Sequence, residues 1–266
     1  MHVGLSGALW RRGAQVSTAP APQRPDAPAM LPLDRQNEYR ERYRALKPGW
    51  RPSGEIYEAT VRAHLPSNGR LLDLGCGRGG LPEKLVAEGC TVFGTDPDMR
   101  SLREYRTPSV RRALAQSSRQ PFPTASFSLI ISSWVLEHLP DPASTLREAA
   151  RLLQSGGVLV ALTPNVCHPL LFANRITRWA PALQRRLVRD LYGRGGADTF
   201  PVRYRANSPV RLRALARENG LALTQLALIE DPSYIAVNSR LFRLAATLER
   251  KLPASLRVHM VAVFEK

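Results

Sequence analysis

Cysteine is scarce in this chain: there are three in 266 residues, Cys76, Cys90 and Cys167. An odd count with no metal-ligand spacing argues against a disulfide framework or a cysteine-built zinc module, and points to a reducing compartment. Long apolar runs are missing too. No window approaches the roughly 18 uninterrupted apolar residues of a membrane span, so the expected setting is cytoplasmic, with peripheral membrane contact left open. Acid is the third shortage. The chain has 22 Asp/Glu against 38 Lys/Arg, a formal charge of +16. From His168 to Arg257 there are 16 Lys/Arg and 6 Asp/Glu, so much of the surplus sits in that third. Such a field favours anionic partners, whether nucleic acid, phosphorylated substrates or lipid headgroups; a solvated arginine surface explains it equally well. There is no internal repeat, no recognised RNA-binding module and no aromatic-rich basic strand set, which makes nucleic acid the less favoured partner.

What is present suffices for a full core, with 44% hydrophobic residues in a chain of this length. Residues 1–33, including "STAPAPQRPDAPAMLP", have a disordered, linker-like composition and are expected to be non-catalytic. Their start, "LWRRGAQVS", is weakly amphipathic but lacks the apolar core of a secretory signal. From Asp34 the pattern becomes regular. "DRQNEYRERYRAL" and "GEIYEATVRAHL" read as helices, "RLLDLG" as a buried strand, and "GLPEKLVAEG" as a helix capped by Gly89. "TVFGTD", "FSLIISSW" and "VLVALTP" are further strands, with a helix at "PASTLREAARLLQSGG". This alternation predicts a parallel sheet with helices on both faces. "LALTQLALIE" and "VHMVAVFEK" are late strands expected to close it with an antiparallel edge.

The stretch "RLLDLGCGRGG" carries the chemistry. Gly75, Gly77 and Gly80 satisfy G-x-G-x-x-G, with Asp96 about twenty residues on, the pattern that seats a pyrophosphate on a helix N-terminus. Asp73 contradicts that ligand: a carboxylate two residues before the first glycine repels phosphate and suits a cation. A ligand with an ammonium, a sulfonium and an adenosine fits better.

"LLDLGCGRG" resembles motif I of the class I S-adenosylmethionine-dependent methyltransferases, in the small-molecule group that includes the ubiquinone-biosynthesis enzymes. The likeness runs in register from about Leu71 to Thr163, through "VFGTDPDM", "PFPTASFSLIISSWVLEHLPDP" and "LREAARLLQSGGVLVALTPN". It implies an α/β fold with a doubly wound, seven-stranded, mostly parallel Rossmann-like sheet, carried by residues 34–266, and S-adenosyl-L-methionine as cofactor. It also implies roles. Backbone at Gly75, Cys76 and Gly77 passes close to the methionine part, where a side chain would collide. Asp73 holds the ammonium, Asp96 takes the ribose hydroxyls, and Pro97 and Met99 pack near the adenine. Gln116 and Ser117 lie at the adenine end, and Ser133 on the methionine side. Gln116 stands where the family usually has Asp; its carbonyl accepts the same hydrogen bond without charge.

Methyl transfer from a sulfonium needs alignment and desolvation, and a base only when the acceptor arrives protonated. His138, in "VLEHLP", is the candidate base, against the plainer reading that Glu137 and His138 only tie neighbouring loops. Some quinone O-methyltransferases bind a divalent metal through Glu-x-x-Glu-His; Trp134 replaces the first glutamate here, so no metal is expected. Residues 166–208 form an insertion expected to cap the site. Phe172, Ile176, Trp179, Leu183, Leu187 and Leu191 recur in it at helical spacing, Pro181 is placed to start a second helix, and Tyr204, Arg205 and Asn207 are candidate substrate contacts. This insertion and "SRLFRLAATLERKL" are both basic and amphipathic, which suits peripheral membrane contact and a lipid-linked acceptor. The expected activity is methylation, more often at oxygen, of a small or lipid-linked anionic acceptor. A tRNA or rRNA methyltransferase ranks next, although the Asn-Pro-Pro-Tyr type tetrapeptide is missing. A nicotinamide-dependent oxidoreductase ranks last, its Tyr-x-x-x-Lys match (Tyr43 to Lys47) standing before the first strand.

Overall fold

The computed structural model describes residues 33–66, 70–172, 201–236 and 238–266. Residues 1–32 of the expected tail and the centre of the expected cap, with Ile176, Trp179, Pro181, Leu183, Leu187 and Leu191, lie outside the described residues.

Two helices come first, α1 (Leu33–Leu46) and α2 (Ser53–Ala63). The Rossmann-like core follows as β1 (Arg70–Leu74), α3 (Leu81–Ala87), β2 (Thr91–Asp96), α4 (Met99–Arg103), β3 (Arg111–Leu114), β4 (Phe127–Ser133), α5 (Pro142–Leu152) and β5 (Leu153–Pro164). After the undescribed segment come α6 (Pro209–Glu218), β6 (Ala222–Ile229), α7 (Ser239–Lys251) and β7 (His259–Glu265).

The seven strands are ordered β3-β2-β1-β4-β5-β7-β6. β1 pairs in parallel with β2 and β4, and β4 with β5. β7 lies between β5 and β6, antiparallel to both. The two late strands thus close the sheet antiparallel as expected, β7 lying inside and β6 forming the edge. β7 earns its inner place by composition: "HMVAVF" is buried throughout, whereas β6 exposes Thr224 and Gln225. The chain reverses its winding between β1 and β4, so a crevice opens beyond their carboxyl ends.

β1 is buried on both faces, and its alternate side chains feed two cores. Leu72 and Leu74 join Phe93, Phe127 and Ile130 beneath α5 and α6. Leu71 joins Val92, Leu129 and Val160 beneath α2, α3 and α4. Asp73 shares the parity of Leu71 and is thus turned toward the α2 side.

A third cluster fixes α1. Tyr39 and Tyr43, one helical turn apart, bury against Trp50, Ala236, Phe242 and Ala246. Tyr39 stacks on Phe242 at 4.8 Å, and Tyr43 meets Trp50 edge-on at 4.9 Å. The basic amphipathic stretch anticipated as a membrane contact is α7; it spends Phe242, Ala245, Ala246 and Glu249 on this interior and leaves Leu241, Leu244 and Leu248 exposed. No helix among the described residues is long and apolar enough to cross a membrane. Two short elements were not anticipated, α4 and β3; β3 is an edge strand of four residues whose first two are arginines, which gives no alternation to read.

Candidate functional site

An open cleft of about 1500 Å³ lies at the reversal between β1 and β4. One end is built from strand-to-helix turns. The turn after β1 is laced to β2 by Gly75 N–H and Cys76 N–H, which both donate to Thr95 O at 2.8 and 3.0 Å. It is closed by Gly77 N–H, which donates to Asp96 Oδ2 at 2.9 Å. Asp96 Oδ1 accepts from Asp98 N–H at 2.8 Å. Each Asp96 oxygen keeps a further acceptor site, so the carboxylate is oriented but not saturated.

The glycines differ in what they require. Gly75 has φ +78°, and a Cβ there would stand 2.3 Å from Val135 Cγ2. The protein itself demands its bareness, through the residue after Trp134, independently of the close ligand approach expected there. Gly77 has φ +51° with nothing within 4 Å of its would-be Cβ, so its backbone faces open cleft. Cys76 turns inward: Gly94 makes room for its sulfur, which a Cβ at that glycine would meet at 2.9 Å. Burial pushes its thiol far up, which leaves it protonated and inert.

Asp73 is 6% exposed, and its carboxylate has no hydrogen bond or ion pair among the described residues. Burial, reinforced by the charge of Asp96, pushes its pKa up to about 7. Asp96 is shifted upward as well, chiefly by burial and against two backbone hydrogen bonds. A buried carboxylate without a cation is costly to hold ionised. The cations near this end are already engaged: Arg78 pairs with Glu104 at 2.6 Å and Lys84 with Glu58 at 2.7 Å. The donor set therefore fits a ligand that brings its own positive charge and hydroxyls, and suits a pyrophosphate poorly.

Pro97, Gln116, Ser117 and Ser133 line the same end of the cleft, with Asp73, Gly75, Cys76, Gly77 and Asp96. Met99 does not; it opens α4 with its side chain 43% exposed, outside the cleft lining. Tyr57 was not anticipated. It projects from α2 into the lining, and burial, with the charge of Asp73, raises its phenol well above the ordinary range.

The rest of the cleft lining comes from distant segments, including Arg40 and Arg44 of α1, Trp134, His138 and Leu139 after β4, and Arg203. His138 is partly exposed here, with Nδ1 3.4 Å from Pro201 O and Nε2 4.0 Å from Glu137 Oε1. Glu137 is buried and structural: Oε2 accepts from Thr163 Oγ1 at 3.1 Å, and its carbonyl accepts from Arg203 N–H and Tyr204 N–H. Arg44 is taken up by Glu55 at 2.6 Å, and Arg40 by buried Asp231 at 3.1 Å. Arg203 carries no ion pair among the described residues.

Tyr204, Arg205 and Asn207 line a separate hollow of about 780 Å³ beside the starts of α5 and α6. Asn207 is buried and donates to Thr163 Oγ1 at 2.6 Å and to Pro164 O at 3.2 Å. Arg205 donates to Pro140 O at 2.6 Å. Of that segment, Arg203 reaches the cleft. Tyr43 and Lys47, the dehydrogenase-like pair, both donate to Glu230 Oε1, at 2.7 and 2.5 Å, and serve to clamp α1.

A family model described as "Methyltransferase domain" matches residues 41–226. Among characterised sequences, a ubiquinone biosynthesis O-methyltransferase of Paracidovorax citrulli is 34% identical over 151 residues, 50% of this chain and 61% of that protein. The chain thus spans about three-fifths of the length of that relative. Among solved structures, geranyl diphosphate C-methyltransferase of Streptomyces coelicolor, in complex with Mg2+, geranyl diphosphate and S-adenosyl-L-homocysteine, is 16% identical with a TM-score of 0.54, over 80% of this chain and 79% of that one. An S-adenosylmethionine-dependent methyltransferase of Mesorhizobium loti is 18% identical with a TM-score of 0.55, over 81% of this chain and 100% of that one. At these identities the two structures testify to the fold.

Proposed function

The chain belongs to the methyltransferase-domain family, and from that premise we propose that it methylates an oxygen of a small anionic acceptor with S-adenosyl-L-methionine. The observation that carries the reading is the lone buried carboxylate of Asp73 beside the oriented Asp96, in a cleft where Arg78 and Lys84 are already paired.

When bound, the cofactor supplies a methyl group already activated on a sulfonium, so the protein contributes placement, dryness and proton handling. Asp73 would hold the ligand ammonium, a partner that returns the carboxylate to its ionised form. Asp96 would accept from the ribose hydroxyls with the oxygen sites left over from Gly77 and Asp98. Gln116 and Ser117 offer neutral hydrogen-bonding groups at the same end. His138, which lines the same cleft near Pro201 O and Glu137, would take the proton of an acceptor hydroxyl. Arg203, unpaired among the described residues, supports an anionic group on the acceptor. A lipid-linked form of that acceptor is supported by α7, where exposed Leu241, Leu244 and Leu248 run beside Arg240 and Arg243.

Titration calorimetry with S-adenosylhomocysteine and with NAD tests the reading. Binding of the first and not the second is expected; tight NAD binding alone sinks it. His138→Ala should lower kcat by about 100-fold with S-adenosylhomocysteine affinity unchanged, and undiminished turnover would remove the base assignment.

A further inference from the structure

Trp134, the residue after β4, takes a conformation that bulky L-residues rarely adopt, with φ +59°. The backbone is pinned there: its N–H donates to Leu162 O at 2.9 Å, which carries the β4–β5 ladder one residue past the end of β4. Glycine or asparagine takes this bend with less strain. The large ring is not placed in the core as recompense. It stands 37% exposed in the cleft wall, among Val135, Leu139 and Leu162. Behind it the His259 ring of β7 meets the indole edge-on, with centroids 5.0 Å apart at 79°. His259 is buried, which drives its pKa down to about 4, so the indole is backed by a neutral ring. Strained backbone kept under a half-exposed aromatic, at the wall of a binding cleft, marks a position held for ligand contact rather than for packing.

On the reading of this cleft as a methyl-transfer site, we propose that Trp134 is the specificity-determining plate of its acceptor half, gripping a flat conjugated ring by the π face while Arg203 takes an anionic substituent at the rim.

Two probes isolate the π face: 3,4-dihydroxybenzoate, and its ring-saturated counterpart 3,4-dihydroxycyclohexanecarboxylate, which has the same polar groups. With S-adenosylhomocysteine present, the parent protein should bind the flat probe about tenfold more tightly. Trp134→Leu should erase that preference and Trp134→Phe keep most of it, while S-adenosylhomocysteine affinity stays within about twofold in each. Trp134→Asn, which relieves the left-handed strain, should melt no lower than the parent yet lose the preference. Equal binding of the two probes by the parent, no binding of either included, overturns the proposal, as does a preference that survives in Trp134→Leu. A Trp134→Asn protein that melts lower and binds S-adenosylhomocysteine more weakly makes Trp134 a packing residue, which also overturns it. Loss of S-adenosylhomocysteine binding by the parent itself would instead remove the underlying reading.

Discussion

Where β1 and β2 end in the cleft, nearly every positioning contact is a hydrogen bond donated by the backbone within about one strand-turn-helix unit, from Gly75 and Cys76 to Thr95 O, and from Gly77 and Asp98 to Asp96. Elsewhere the cleft wall is made of residues gathered across the whole chain, Arg40, Trp134, His138 and Arg203 among them. Behind that wall Tyr43 and Lys47 donate to Glu230, Arg40 pairs with Asp231, and the Glu137 carbonyl accepts from Arg203 and Tyr204 N–H. The first region is rigid because it is part of the sheet ladder. The second depends on buried polar pairs, each of which leaves a stranded partner when broken. One fold can thus keep a constant cofactor seat while its acceptor wall changes.

The sharpest way to break this contrast is Asp73→Asn. The variant should lose more than about 100-fold in S-adenosylhomocysteine affinity, roughly 3 kcal/mol, by calorimetry. Its ligand-free form should become more stable at about pH 8. The folded pKa of Asp73 is raised, to about 7 against an ordinary 3.8, so its contribution to stability is complete below about pH 4 and is lost as pH rises through 7. A neutral amide escapes that penalty, worth on the order of 2–4 kcal/mol. An unchanged or lower melting temperature at about pH 8 would mean that Asp73 has an internal partner after all.

Gly75→Ala follows. The new methyl strikes Val135 and must also sit at φ +78°, so urea denaturation should show a loss of about 2–3 kcal/mol. Gly75→Ala with Val135→Ala should recover part of it. If the double variant is no better, the clash is not the cause. Tyr43→Phe probes the packing of α1, which carries Arg40 and Arg44 to the cleft. It removes a buried hydrogen bond to Glu230 and should cost about 1–2 kcal/mol of stability. S-adenosylhomocysteine affinity should stay constant while KM for the acceptor rises; an equal change in both would dissolve the distinction between the two regions. The smallest effect is a slope. Below about pH 7, S-adenosylhomocysteine must expel the Asp73 proton, so affinity should fall by up to about tenfold per pH unit. Asp73→Asn should flatten that slope; a parent profile flat from about pH 5 to 8 would refute the shifted carboxyl.

The legible part of the site was the local part. "LLDLGCGRG" and "VFGTD" announce a strand, a tight turn and a second strand ending in Asp96, and the turn is built from residues adjacent in sequence. Even there the reason for Gly75 was hidden, because Val135 is sixty residues away and only the β1–β4 pairing brings it near. Met99 shows the opposite limit. Two residues past Pro97, it is turned outward by α4, whose start Asp98 caps through Arg100 N–H and Ser101 N–H. Trp134 was visible as a substitution within a motif, but its left-handed backbone and its contact with His259 are tertiary facts.

By itself the sequence determined the order of strands and helices, α4 and β3 excepted, together with the glycine turn and the two carboxylates that flank it. Those follow from hydrophobic period, local backbone freedom and charge, all of which act over a few residues. The tertiary structure alone decided that β7 lies inside the sheet, that α1 is clamped by Glu230 and Asp231, and that Arg203 faces the cleft while Asn207 is buried away from it. Each of these depends on which distant surfaces bury each other, and short-range pattern carries no record of that choice.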